Sequence, residues 1–214
     1  LNSVPVQLIP VQTKLVTPDD DLLEVISEYC GPLLQKGDIL VAAETMVAIT
    51  QGRLIRPENV KPGRWALLIS QFVHQDGSLS SPFALQAVMN EEGTLRVIAA
   101  FIVSAFSRVF LRRKGDFYRL AGKQAALVDD ITGTTPPFDK YIVMGPKEPE
   151  KVVAAIKERF GIEAVIIDAN DLGRAQILAA TEGVDQKLLL RLFKKNPAGN
   201  ADEQTPLVIV RRTS

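Results

Sequence analysis

Three polar segments carry the residue types from which a metal or phosphate site can be built. The first is Leu127-Val-Asp129-Asp130-Ile-Thr132-Gly133-Thr134-Thr135-Pro-Pro137. The adjacent carboxylates Asp129 and Asp130 suit a hard cation. The hydroxyls of Thr132, Thr134 and Thr135, with free backbone N–H groups beside them, suit phosphate oxygens. The same composition also makes a solvated turn whose exit is fixed by two prolines. The second segment is Ala164-Val-Ile-Ile-Asp168-Ala-Asn170-Asp171-Leu-Gly173-Arg174. Here an apolar strand is expected to end in Asp168, with a helix beginning just after. Ligands of open α/β sheets sit at the carboxyl ends of strands, so Asp168 is placed to ligate a metal. Arg174 can steady a phosphate or carboxylate, and Asn170 and Asp171 lie in the same turn. The alternative is structural, with Asp171 as a helix N-cap and Asp168 as a turn acceptor. The third segment, Asn196 to Pro206 with Asp202 and Glu203, reads as a polar surface connection.

Other chemistries lack their residues. The single histidine, His74, cannot by itself build a zinc centre or a Ser-His-Asp triad. Neither a Gly-x-x-x-x-Gly-Lys-Ser/Thr loop nor a strand-borne Gly-x-Gly-x-x-Gly is present. A metal site must then use oxygen ligands, which favours Mg²⁺, Mn²⁺ or Ca²⁺. The 214 residues carry 25 basic and 25 acidic side chains. A net charge of zero removes the broad attraction that nucleic-acid binding needs. Arg112-Arg113-Lys114 reads as a solvated helix end.

Cys30 is the one cysteine, in a helical pattern, so a buried structural thiol and a reducing, cytoplasmic setting are expected. No apolar run approaches the roughly 18 residues of a membrane helix. The chain starts at Leu1, so a trimmed leader stays open, and what is present shows no signal pattern. With 46% apolar and 23% charged residues the composition is globular. The length suits one large domain or two small interleaved ones.

The elements that must position these segments follow from periodicity and punctuation. Strands are expected at Val4 to Val11, Asp38 to Ala43, Tyr141 to Met144, Ile162 to Ile167 and Leu207 to Val210. Met46 to Thr50 and Trp65 to Val73 also read as extended. Helices are expected from Pro18-Asp19-Asp20-Asp21 to about Tyr29, from Pro82 to about Asn90, across most of Gly93 to Arg113, and from Glu148 to Phe160. The Gly93 to Arg113 helix has a heavily apolar face and reads as a core element. Two more are expected at Leu172 to Ala180 and Val184 to Lys194. Strands alternating with helices favour an α/β sheet. The Glu148–Phe160 helix between two apolar strands reads as one right-handed βαβ unit.

Taken in order, these segments resemble the coenzyme F-420-0:gamma-glutamyl ligase family. The resemblance runs through Leu8-Ile-Pro10-Val, Asp19-Asp20-Asp21-Leu, Gly37-Asp38-Ile-Leu-Val41 and Gln51-Gly52-Arg53. It continues in Gly115-Asp-Phe117-Tyr-Arg-Leu-Ala121-Gly122, Ile142-Val-Met-Gly-Pro146, Ile166-Ile-Asp168 with Gly173-Arg174, and Asp202-Glu203-Gln-Thr-Pro206 to Arg211. It implies a two-part intertwined mixed sheet with flanking helices, a homodimer, and divalent metal with GTP. The implied activity joins glutamate to the lactyl phosphate end of a deazaflavin precursor through an acyl phosphate. Catalysis of that kind is positioning plus charge neutralisation, and needs no nucleophilic side chain.

The chain departs from the family pattern at identifiable positions. Where the family carries Ser-Lys and a further Lys that contact the nucleotide, Glu44, Thr45 and Ile49 stand here. Each charged hydrogen bond lost costs about 1.5–3 kcal/mol. Gln124 stands where the family has a metal-binding Asp, and would ligate through a neutral oxygen, with Asp129 or Asp130 as substitutes. Three readings follow. One is a ligase of this family acting on that small-molecule substrate. Another is a divergent member acting on another carboxylate. The third is a non-catalytic ligand-binding protein.

Overall fold

The computed structural model describes residues 5–73, 78–110, 112, 115–128, 137–169, 175–194, 197 and 204–213. In chain order the elements are β1 (Val6–Val11), α1 (Leu22–Tyr29), β2 (Ile39–Ala43), α2 (Glu44–Thr50), β3 (Leu54–Ile55), α3 (Arg64–Ser70), α4 (Pro82–Glu92) and α5 (Thr94–Phe110). They continue with α6 (Asp116–Ala121), α7 (Lys123–Leu127), β4 (Ile142–Val143), α8 (Pro149–Phe160), β5 (Glu163–Ala169), β6 (Ala175–Ala180), α9 (Gln186–Phe193) and β7 (Leu207–Arg212). The chain divides into two compact units, residues 1–52 with 146–214 and residues 53–145.

The first unit is built on a five-stranded mixed sheet, ordered β1-β7-β2-β5-β6. Only β2 and β5 run parallel; the other neighbours are antiparallel. Val41, Val165, Ile167, Val208 and Val210 pack on one face with Leu189 and Phe193 of α9. The alternate residues Leu40, Ala42, Ala164, Ile166 and Ile209 point to the other face and are also buried. Burial on both faces explains why β2, β5 and β7 read as unbroken apolar runs. Helix starts follow their side-chain caps: the Asp21 carboxylate accepts from the Leu23 and Glu24 N–H groups at 2.9 and 3.0 Å, and Asp185 accepts from Leu188 N–H at 3.1 Å. Cys30 is fully buried, and burial pushes its thiol up to about 12, so it stays protonated and unreactive.

The second unit is mostly helical. Its core joins Ile69, Leu79, Leu85, Val88, Met89, Val97, Phe117 and Ile142. The short ladder β3–β4 pairs Leu54 with Val143 and Ile55 with Ile142 near the two ends of the unit.

Five expectations are corrected. Residues 46–50 belong to α2, and residues 64–70 form α3 rather than a strand. Short apolar runs do not distinguish the two states; in α3 the buried residues Ala66, Ile69 and Ser70 show the helical spacing. The region expected to be a helix from Leu172 to Ala180 contains β6, which pairs antiparallel with β5. The expected βαβ unit across Glu148–Phe160 is not formed, because β4 pairs with β3 while β5 finds its parallel partner in β2. Finally, α5 is only half a core element, since one of its apolar faces is exposed.

Candidate functional site

The parallel pair β2–β5 creates one sheet end where an acidic residue follows the last register pair on each strand. Ala43 is in register with Ile167, so Glu44 and Asp168 are the next residue on each strand path. At that point β2 passes directly into α2, with Ala43 as the N-cap residue. Helix α2 packs back against β2 and β5. Glu44 is 9% exposed, in the first turn of α2, where the positive end of the helix dipole favours a carboxylate. By alternation Asp168 shares the sheet face of Ala164 and Ile166. It is exposed as a residue, yet neighbouring protein displaces water from its carboxyl and raises it above the ordinary carboxylate range. After Asp168 the strand β5 continues to Ala169, and residues 175–180 of the region expected to be helical form β6. β5 and β6 are antiparallel neighbours with Asp168 opposite Gln176. The carboxyl-end position survives this change because it depends on the β2–β5 pair.

Gln124 lies in the second unit, in a polar network of its own. Its backbone N–H donates to Glu92 Oε1 at 2.8 Å, and Glu92 Oε2 accepts from Arg96 Nη1 at 2.7 Å. Its Nε2 donates to the Gly145 carbonyl at 3.4 Å. That carbonyl also accepts from Arg53 Nε at 2.9 Å, and Arg53 Nη2 grips both oxygens of Glu91 at 2.8 and 2.7 Å. Gln124 is 7% exposed, and its Oε1 is buried with no hydrogen-bond partner. A buried acceptor left unpaired costs about 1–3 kcal/mol, so this oxygen is a ready place for a cation or an N–H or O–H donor. Gln124→Leu removes the orphan and is expected to leave unfolding stability within about 1 kcal/mol of wild type, or to raise it. The check is a pair of urea titrations. A loss above about 2 kcal/mol would mean that Oε1 is already partnered in solution by water or an ion.

Asp168 and Gln124 thus belong to different units. Asp129, Asp130, Thr132, Thr134, Thr135, Asn170, Asp171, Arg174 and Glu203, together with His74, lie outside the described residues. Among the described residues, no group of three or more His, Cys, Asp or Glu side chains is arranged to hold a metal ion. Glu44 is the residue that sequence reasoning noted only as a departure. The signal that could have raised it is its position directly after an apolar strand, which is also the signal that selected Asp168.

Comparison with known proteins adds the following. The sequence model of F420-0:gamma-glutamyl ligase matches residues 10–187. The coenzyme F420:L-glutamate ligase of Methanothermobacter thermautotrophicus is 32% identical over 164 residues, covering 75% of this chain and 59% of that protein. The coenzyme F420:L-glutamate ligase of Methanopyrus kandleri is 26% identical over 179 residues, covering 81% and 62% respectively. The chain therefore spans about three fifths of the length of these curated relatives.

Proposed function

The chain belongs to the F420-0:gamma-glutamyl ligase family, and from that premise we propose that it forms an amide between the amino group of glutamate and a phosphorylated deazaflavin acid. The observation that carries the reading is the β2–β5 sheet end, inside the matched span, with Asp168 and Glu44 at its rim. GTP is the proposed phosphoryl donor and a homodimer the proposed assembly.

Mg²⁺ or Mn²⁺ fits the donors at this sheet end, since Asp168 and Glu44 both offer hard carboxylate oxygens. Asp168 is the residue proposed to hold it. When bound, such an ion neutralises charge on phosphate oxygens. The chain's own residues supply position: Asp168 sits on a rigid strand rather than a loop, with Ile166 and Ile167 buried beneath it. Asp168→Asn should lower glutamate incorporation on the order of 10–100-fold, the range expected from losing one charged contact. The assay is mass analysis of the deazaflavin acid after incubation with glutamate, GTP and Mn²⁺. Wild-type protein that forms no glutamylated product would remove the reading, and full activity in Asp168→Asn would remove Asp168 from the site.

A second reading has its own support. Glu44 and Ile49 are buried and Thr45 is half-buried, all on α2 where the family's nucleotide contacts are expected. A carboxylate there opposes a phosphate. This favours a divergent member that activates another carboxylate. Thermal shift separates the cases: stabilisation by Mn²⁺ with GTP supports the first, stabilisation by a different acid with metal supports the second, and a response to a ligand without turnover identifies a binding protein.

A further inference from the structure

Helix α5 is apolar on two opposite faces and covered on one. Val97, Ala100 and Ser107 are buried, and the helix packs on α4 and α6. On the other face Leu95, Ile102 and Val109 recur at heptad spacing and are 83%, 61% and 72% exposed. Phe106 and Phe110 fill the intervals at 58% and 68% exposed, their rings stacked at 4.4 Å. A helix that is apolar all round belongs in an interior. These exposed side chains, with Val103, present on the order of 700 Å², judged from the usual areas of such residues. That exceeds the roughly 300–600 Å² of the largest apolar patch on an ordinary monomer. It approaches the ~800 Å² that each partner contributes to a standard interface.

We propose that this face binds the same face of a second copy of the chain, with the two α5 helices antiparallel about a twofold axis at Ile102–Val103. The spacing is self-complementary about that point. Leu95 of one copy meets Phe110 of the other, and the large Phe106 meets the small, exposed Ala99. Antiparallel helices oppose their dipoles favourably. They also keep Arg108 of one copy away from Arg108 of the other, which a parallel pair would set side by side. Arg96, near the crossing point of Arg108, is already neutralised by Glu92 at 2.7 Å. A lipid surface fits less well. No single described helix is long and apolar enough to cross a membrane, and α4 and α5 are bent by 114° where they join. The face opposite the stripe is buried protein, not the basic face of an interfacial helix. The inference deepens the homodimer named above by assigning its surface.

Sedimentation velocity of the full chain, across a wide range of protein concentration, tests it. Wild type should dimerise, and Ile102→Glu or Phe106→Glu should each weaken the dimer about 30-fold or more while leaving the circular dichroism melt in place. Orientation is read separately by introduced thiols, since Cys30 is the chain's sole cysteine and is buried. Oxidising a mixture of Leu95→Cys and Phe110→Cys proteins should link one of each. Efficient linking of Leu95→Cys to itself would overturn the antiparallel arrangement. A wild type that is monomeric throughout, or that sediments with anionic phosphatidylserine vesicles in place of dimerising, would overturn the surface as a self-interface. Dimers undiminished by both Glu substitutions would overturn the surface while leaving the homodimer standing.

Discussion

Asp38→Asn is expected to lower unfolding stability by about 2–4 kcal/mol, less than the cost of breaking a fully buried ion pair because the Arg211 side chain is partly exposed. Asp38 is 2% exposed, in the turn just before β2. Its Oδ1 accepts from Arg211 Nε at 2.9 Å, and its Oδ2 accepts from Arg211 Nη2 at 2.8 Å and from the Gln35 N–H at 2.8 Å. Arg211 lies on β7, and its Nη2 also donates to the Leu33 carbonyl at 2.7 Å. This planar fork ties the Leu33–Asp38 turn to the strand that separates β1 from β2. Asn offers one acceptor in place of two charged ones, and leaves the guanidinium with its charge unmatched. Against a typical total of about 5–15 kcal/mol the loss is large enough to read as a shift in urea midpoint at unchanged slope. A midpoint within error of wild type would remove the pair from the stability account. Arg211→Lys should lose part of the same energy, because a lysine keeps the charge but not the fork.

The same pair sets a pH dependence. The Arg211 guanidinium beside Asp38 holds its carboxyl below the ordinary carboxylate range despite burial, which acts the other way. A group whose pKa is lower folded than unfolded contributes stability that is present above its unfolded value, near 3.9, and is lost as pH falls through the folded value. Asp20 and Glu163 are shifted in the same direction by Lys14 and Lys157, but both pairs are more exposed and weigh less. Stability should therefore fall below about pH 4, and the fall should flatten in Asp38→Asn.

How much of this was legible follows from the kind of signal each feature leaves. The three strands buried on both faces, β2, β5 and β7, announce themselves as apolar runs, and Asp21, Ser81 and Gly161 mark helix ends by local chemistry alone. The errors lie where local preference and tertiary pairing disagree. Ala175-Gln-Ile-Leu-Ala-Ala180 is rich in helix formers, and becomes β6 because β5 offers it a ladder. Met46 to Ile49 is an apolar run that either state accepts, and its burial in α2 comes from packing on β5. The site divides in the same way. Asp168 is visible as the acid that follows an apolar strand. Glu44 gains meaning only from the parallel pairing of β2 with a strand far along the chain, which no local pattern encodes. The orphaned oxygen of Gln124 depends on side chains and a carbonyl converging from separate helices and loops, and composition carries no trace of it.

Gly122→Ala is the second large effect, expected to cost about 2–4 kcal/mol. Gly122 joins α6 to α7 at φ 118°, ψ 171°, a region essentially reserved for glycine and worth about 1–3 kcal/mol of strain for any other residue. An added Cβ would also stand 2.1 Å from the Glu92 carboxylate. Glu92 is flexible enough to swing away, so the clash itself is cheap. What is lost is its position: the bond from the Gln124 N–H at 2.8 Å and the ion pair with Arg96 at 2.7 Å both depend on that carboxylate lying over the glycine. Losing an acceptor that a half-buried amide requires adds about 1–3 kcal/mol. Glu92→Gln with Gly122 intact separates the two contributions, since it keeps an acceptor for the amide and removes only the charge. Thermal unfolding should rank wild type above Glu92→Gln, and Glu92→Gln above Gly122→Ala. If Gly122→Ala melts with wild type, the glycine is dispensable and the close approach of Glu92 to Gln124 is not what holds α7 in place.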